Sequence, residues 1–131
     1  MPLIKRFEEL EVWQGARQLT DFIYGLTETE AFRRDYGLID QLRRAAVSVM
    51  NNVVEGFDSG STAEFVRFLG YARRSSSEVQ SCLYVALDRR YCSQEQFREA
   101  YEKAERCRGL ISGFVRYLRQ GRTSARLHVG T

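Results

Sequence analysis

Apolar residues recur at every third or fourth position through four long segments of this chain, and its single proline, Pro2, stands at the very start. A 3.6-residue period gathers apolar side chains into one stripe per helix, and proline inside a helix costs about 3 kcal/mol. Both features therefore select long helices, and no alternating strand pattern competes. The first segment runs from about Phe7 to Leu26, with Val12, Ala16, Leu19, Ile23 and Leu26 on its stripe and Trp13 and Phe22 widening it. Residues 27–36 break the pattern and read as a loop. The second segment, about 38–55, carries Leu38, Leu42, Ala45, Val49 and Val53. The third, about 62–89, carries Phe65, Phe68, Leu69, Ala72, Val79, Leu83, Ala86 and Leu87. The fourth, about 94–119, carries Phe97, Tyr101, Ala104, Ile111, Phe114 and Leu118.

The punctuation between segments fits helix ends. Gly56 follows the second segment, where a glycine can take the left-handed cap conformation and stop the helix. Ser61 to Glu64 and Ser93 to Gln96 both match a capping box, in which a serine hydroxyl and an acid or amide three residues later satisfy free backbone donors. Four amphipathic helices joined by mostly short loops predict an all-α antiparallel up-down four-helix bundle over residues 1–120. The remaining stretch, QGRTSARLHVGT, has neither periodicity nor apolar mass, and residues 121–131 are expected to form a flexible basic tail.

A chain of 131 residues suits one domain whose core needs neither disulfide nor metal. The longest uncharged runs, such as Ala45 to Val54, are about half of what a bilayer span requires. The start is broken by charge, so a cytoplasmic protein without membrane contact is expected. Three cysteines, Cys82, Cys92 and Cys107, are odd in number and show no CxxC spacing. They read as buried thiols in a reducing compartment.

On a wheel of about 100° per residue the second helix has two apolar stripes. Leu42, Ala45, Val49 and Val53 form the core stripe, while Val47, Met50 and Val54 sit roughly 80–140° away. A bundle needs only the first, so the second is expected to be an oligomer interface. Gln41, Ser48, Asn52 and Glu55 form a polar ridge beside the core stripe, matched on the third helix by Ser75 and Glu78. Unpaired burial of such amides costs about 1–3 kcal/mol each. The expected arrangement is a structural network: Asn52 bonds the turn before the third helix, Glu55 accepts donors at that helix start, and Glu78 pairs with Arg43 or Arg44.

Catalysis and metal binding find little support. Glu55 and Glu78 fall about 20 Å apart along an antiparallel hairpin, too far to share a proton or a metal. The one histidine, His128, lies in the tail, and no ExxH motif occurs. GFDSGST lacks the lysine of a phosphate loop and follows a helix rather than a strand. Ser75, Ser76 and Ser77 have no histidine to activate them. No cofactor, metal or enzymatic activity is expected.

Charge points elsewhere. The net charge is +3, and 18 of the 20 basic residues are arginine, able to grip phosphate bidentately. Residues 1–32 balance at −3 (three basic, six acidic), and residues 91–131 at +4 (eight basic, four acidic). Arg43, Arg44, Arg73 and Arg74, with Arg119, Arg122 and Arg126 toward the end, are candidate contacts for RNA or DNA. The competing reading pairs such groups with nearby acids, including Asp35, Asp40, Glu78 and Asp88, leaving a module that binds protein only.

Three motifs carry a family resemblance: LEVWQGARQLTDFIYGLT, YGLIDQLRRAAVSVMNNVVEGF and EFVRFLGYARRSSSEVQSCLYVAL. In this order they resemble the bacterial four-helix-bundle family associated with 23S rRNA intervening sequences, over about residues 7–120. The matching positions are Trp13, Gln41 to Ala45, Ser48, Asn52, Glu55 and Gly56, then Ala72, Arg73, Ser75 and Glu78. Met50, Ile39 and Arg74 depart from the proline, threonine and glycine common there. Ile39 cannot cap, which leaves the start of the second helix to Asp35 or Gly37. The resemblance implies an antiparallel bundle assembling as a homopentamer. It is also similar in fold to accessory proteins of diversity-generating retroelements, which bind nucleic acid and a protein partner. It implies no reaction.

Overall fold

A computed structural model of the chain describes residues 4–120, and four helices occupy most of that span: α1 (Glu11–Thr27), α2 (Tyr36–Asp58), α3 (Thr62–Asp88) and α4 (Gln94–Arg119). No strand occurs among the described residues. Helix α1 packs on α2 and α4, and α3 packs on the same two, so the helices form a closed up-down ring. Paired contacts fix the antiparallel sense. The Phe57 and Phe65 rings meet at 6.4 Å near the α2–α3 turn, while Ser48 and Ser75 meet at 2.9 Å farther along. The tail, with Arg122 and Arg126, lies outside the described residues.

The core is most of the stripe that periodicity marks, although Phe68 and Leu87 of α3 are only partly buried and lie outside the packed cluster. Leu19, Ile23, Leu42, Val49, Val53, Leu69, Val79, Leu83 and Ile111 are fully buried. The polar Ser76 and Gln80 join them on α3. Ser76 satisfies its hydroxyl on Ala72 O at 3.2 Å, and Gln80 Nε2 donates to Glu105 Oε1 at 2.9 Å. A hydroxyl that bonds its own helix backbone can enter a core at little cost.

Several boundaries differ from the periodicity reading. Phe7–Glu9 forms a separate 3₁₀ turn, and α1 starts only at Glu11. Leu10 between them is extended, with its side chain in the core. Phe7 sets its ring edge-on against Trp13 at 5.2 Å. The loop after α1 holds a second 3₁₀ turn, Glu30–Phe32, that drives Phe32 into the core. Asp35, not Gly37, caps α2, its Oδ1 accepting from Leu38 N at 3.1 Å.

Helix α2 does not end at Gly56. It continues to Asp58, and the left-handed glycine of the turn is Gly60, at φ 74°. Gly56 is instead a point of close approach: a methyl in place of its hydrogen would lie 2.6 Å from Phe65 Cδ1 and 3.1 Å from Phe68 Cβ. Ser61 caps α3 by accepting from Glu64 N, but the Glu64 carboxylate turns away to Arg67 Nη2 at 2.6 Å, so only half of that box forms. The box at α4 is complete, with Ser93 Oγ accepting from Gln96 N at 3.0 Å and Gln96 Oε1 from Ser93 N at 2.9 Å. Helix α3 ends with Arg90 at φ 61° and Tyr91 N donating to Ala86 O at 2.8 Å, a left-handed cap without glycine.

Candidate nucleic-acid interface

Two seams of the bundle carry polar side chains, and they differ in character. Across the α2–α3 seam Asn52 Nδ2 donates to Ser48 O at 2.9 Å and to Ser48 Oγ at 3.0 Å, and Ser48 Oγ meets Ser75 Oγ. This small network is closed on itself. Asn52 therefore does not reach the turn before α3, because its amide is spent one helical turn back on its own helix. Gln41, Glu55 and Glu78 are exposed and take no hydrogen-bond or ion-pair partner among the described residues. Glu55 thus leaves the α3 start to Ser61, and Glu78 does not pair with Arg43 or Arg44.

Those two arginines are engaged elsewhere. Arg43 Nε donates to Thr27 Oγ1 at 2.9 Å, with its guanidinium 4.4 Å from the Tyr24 ring centre. Arg44 holds Asp40 at 2.7 Å on the surface. Arg74 lies 5.0 Å from the Tyr71 ring, which Arg67 also contacts through Nη1 to the phenol oxygen at 2.8 Å. The Glu64 carboxyl is held below the usual range by its bond to Arg67.

The α3–α4 seam opens outward. At the end near the α4 C-terminus, Val66, Gly70, Arg73, Ser112, Arg116 and Arg119 line a groove of about 330 Å³ with no carboxylate in its walls. Arg73 is placed by donating Nε to Ser112 Oγ at 3.0 Å, which leaves the two terminal nitrogens of its fork uncommitted. No ion pair engages Arg73, Arg116 or Arg119 among the described residues. Arg116 and Arg119 also occupy the last turn of α4, where the helix dipole favours positive charge. Farther down the seam Glu105 is held below the usual carboxylate range by the Gln80 amide and by Arg108, with Arg73 a weaker influence.

Of the arginines picked from doublets and the tail, the structure leaves Arg73 and Arg119 together and adds Arg116. Arg116 belongs to no doublet, and its signal was the three-residue spacing to Arg119 at a helix end. Three guanidiniums without an ion pair around an acid-free groove can bind phosphate groups by charge and by forked hydrogen bonds. The proposed interface residues are only half-buried: Met50 packs against the core, while Val47 borders a shallow surface groove with Tyr24, Arg43 and Asn51 and Val54 lies beyond it.

The thiols of Cys82, Cys92 and Cys107 are unpaired and buried, and burial raises all three, Cys107 to about 11. Such thiols are protonated and poor nucleophiles near neutral pH. Among the described residues no three His, Cys, Asp or Glu side chains gather to hold a metal, and no helix is long and apolar enough to cross a membrane.

Comparison with known proteins agrees with the architecture. The model of a family described as 23S rRNA-intervening sequence protein matches residues 8–113. The fold is similar to a crystal structure from Bacteroides thetaiotaomicron, a protein with unknown function from the S23 ribosomal protein family. That likeness has a TM-score of 0.73 at 19% identity, covering 79% of this chain and 97% of the other. No curated protein matches the sequence.

Proposed function

Since the chain belongs to the 23S rRNA-intervening sequence protein family, we propose that it is a non-enzymatic, self-associating helical-bundle scaffold of the cytoplasm that binds nucleic acid through the arginine groove between α3 and α4. The observation that carries this reading is the acid-free cluster of Arg73, Arg116 and Arg119. Among the described residues Arg6, Arg33, Arg44, Arg67 and Arg108 each hold a carboxylate, and of the arginines that hold none, Arg73, Arg116 and Arg119 line one groove together. Assembly into a ring multiplies that groove by the number of subunits, and multivalent contact raises affinity without new chemistry.

Salt dependence of binding is the test. Each phosphate contact released by salt contributes a slope of about −0.7 for single strands or −0.9 for duplex in a plot of log K against log salt. Three contacts give roughly −2 to −3 per groove. The triple variant Arg73→Gln, Arg116→Gln, Arg119→Gln is expected to flatten that slope and weaken binding uniformly across sequences. Absence of binding at low ionic strength would leave the protein as a protein-interaction module, the second reading, which the half-buried Val47 and Val54 favour.

A further inference from the structure

The arginine groove is one end of a longer surface. Three cross-links between α3 and α4 lie in a single register: Arg73 with Ser112 at 3.0 Å, Gln80 with Glu105 at 2.9 Å, and Tyr84 with Tyr101 at a ring separation of 5.9 Å. Each step down α3 is matched by an equal step up α4, so all three sit on one flank of the bundle. Along α3 the second rung lies about 10 Å from the first, and the third about 6 Å farther. The last rung is aromatic. Tyr84 is 50% exposed, and its ring lies 4.9 Å from Phe97, which in turn lies 5.5 Å from Tyr101. Val85 beside it is 45% exposed. Glu105 is the one carboxylate on the three rungs, and Arg108 engages it at 2.9 Å.

We infer that this flank binds an unpaired nucleic-acid strand, with phosphates on Arg73, Arg116 and Arg119 and a base stacked on the exposed face of Tyr84. The inference rests on the nucleic-acid reading above and adds the strandedness of the ligand. Basic grooves that continue into exposed aromatic rings suit single strands, because an unstacked base has a free π-face and a base inside a duplex does not. A duplex could use the arginines alone. The rings would then contribute nothing, and half-exposed Tyr84 would gain no partner.

The test is fluorescence anisotropy with a short labelled oligonucleotide as single-stranded RNA, as single-stranded DNA, and as the blunt duplex, all at low ionic strength. Both single strands are expected to bind roughly tenfold or more tightly than the duplex. Tyr84→Ala is expected to weaken single-strand binding by roughly 5- to 100-fold and leave the duplex unchanged, while Tyr84→Phe keeps the ring and the affinity. Equal binding of strand and duplex, with the arginine variant weakening both, overturns the inference and leaves the nucleic-acid reading standing. A Tyr84→Ala protein that binds strands normally, or that changes its sedimentation and not its binding, overturns it as well. Failure of every oligonucleotide to bind overturns both.

Discussion

Gly56 illustrates how a residue can hold one position for a different reason than its type suggests. Glycine after an apolar run reads as a helix stop, but here the missing side chain lets α2 close on Phe65 and Phe68. Gly56→Ala gains about 1 kcal/mol of helix propensity yet forces a carbon into a filled space, and overpacking costs about 1–3 kcal/mol. The expected result is a net loss of stability in urea unfolding, whereas Gly109→Ala, with nothing near its added carbon, gains up to about 1 kcal/mol. Arg90 is the reverse case, a non-glycine in the left-handed region at φ 61°. Arg90→Gly should raise stability by about 1 kcal/mol in the same assay. Asn52→Ala should cost about 1 kcal/mol for its bonds to Ser48, and Glu55→Gln almost nothing. Cys107 gives a pH signature. Its folded pKa lies near 11 against an ordinary value of 9.0, because the buried thiolate is desolvated. The contribution is therefore complete below pH 9 and lost as pH rises through about 11. The loss is on the order of 2 kcal/mol, and comparing urea midpoints of wild type and Cys107→Ala at pH 8 and pH 11 measures it.

At the scale of elements, what depends on near neighbours was legible and what depends on distant ones was not. Val12, Leu19, Leu42, Val49, Leu69 and Ile111 follow from period alone, and the Ser61 and Ser93 caps from residues three positions apart. Phe32 did not stand out, since a lone aromatic in a polar loop has no periodic partner. Its burial depends on Tyr91, whose ring lies 5.2 Å away across the bundle end. Asn52 is the exception among near neighbours, because Ser48, one turn away on the same helix, outcompetes the more distant turn backbone. The basic site was half legible: Arg73 and Arg119 are among the candidates, and the Arg44–Asp40 pair is the local pairing of the competing reading, but only the α3–α4 register brings Arg116 beside Arg73, and only the α1–α2 packing turns Arg43 to Thr27. The same long-range logic makes Asp35 a joint between loops. Its Oδ1 caps α2 while its Oδ2 accepts from the Tyr91 hydroxyl at 3.0 Å, tying the α1–α2 loop to the α3–α4 loop. Asp35→Ala is expected to cost about 2 kcal/mol, and Tyr91→Phe about half of that, because only the second bond is lost. If the two substitutions prove equal, the cap contributes nothing and the account of α2's start fails.

The whole molecule is a bundle whose core uses one stripe of α2, and the fate of the other stripe decides what unit acts. Val47 and Val54 are half-buried and stand apart from the packed core, and Val47 shares a surface groove with Tyr24, which is 38% exposed. Few isolated surface valines mean anything, but a row at helical spacing along an otherwise satisfied helix marks a surface that gains by burial. Covering such a side chain is worth up to about 1.5–3 kcal/mol, and a symmetric ring repeats that gain at every junction. The proposed assembly makes a definite demand. Wild-type protein should sediment as an oligomer whose mass falls on dilution or stays at a fixed multiple, and Val47→Glu with Val54→Glu should release folded monomers with unchanged helix content. Because the arginine groove lies on the α3–α4 flank, away from these valines, the released monomer should retain the intrinsic affinity of one groove while losing avidity. Measured on a short oligonucleotide that spans one groove, affinity should barely change, and on a long one it should fall by a factor of 10² or more. Equal losses on both lengths would mean that the valines and the groove are not separate surfaces, and the division of labour between α2 and the α3–α4 seam would have to be abandoned.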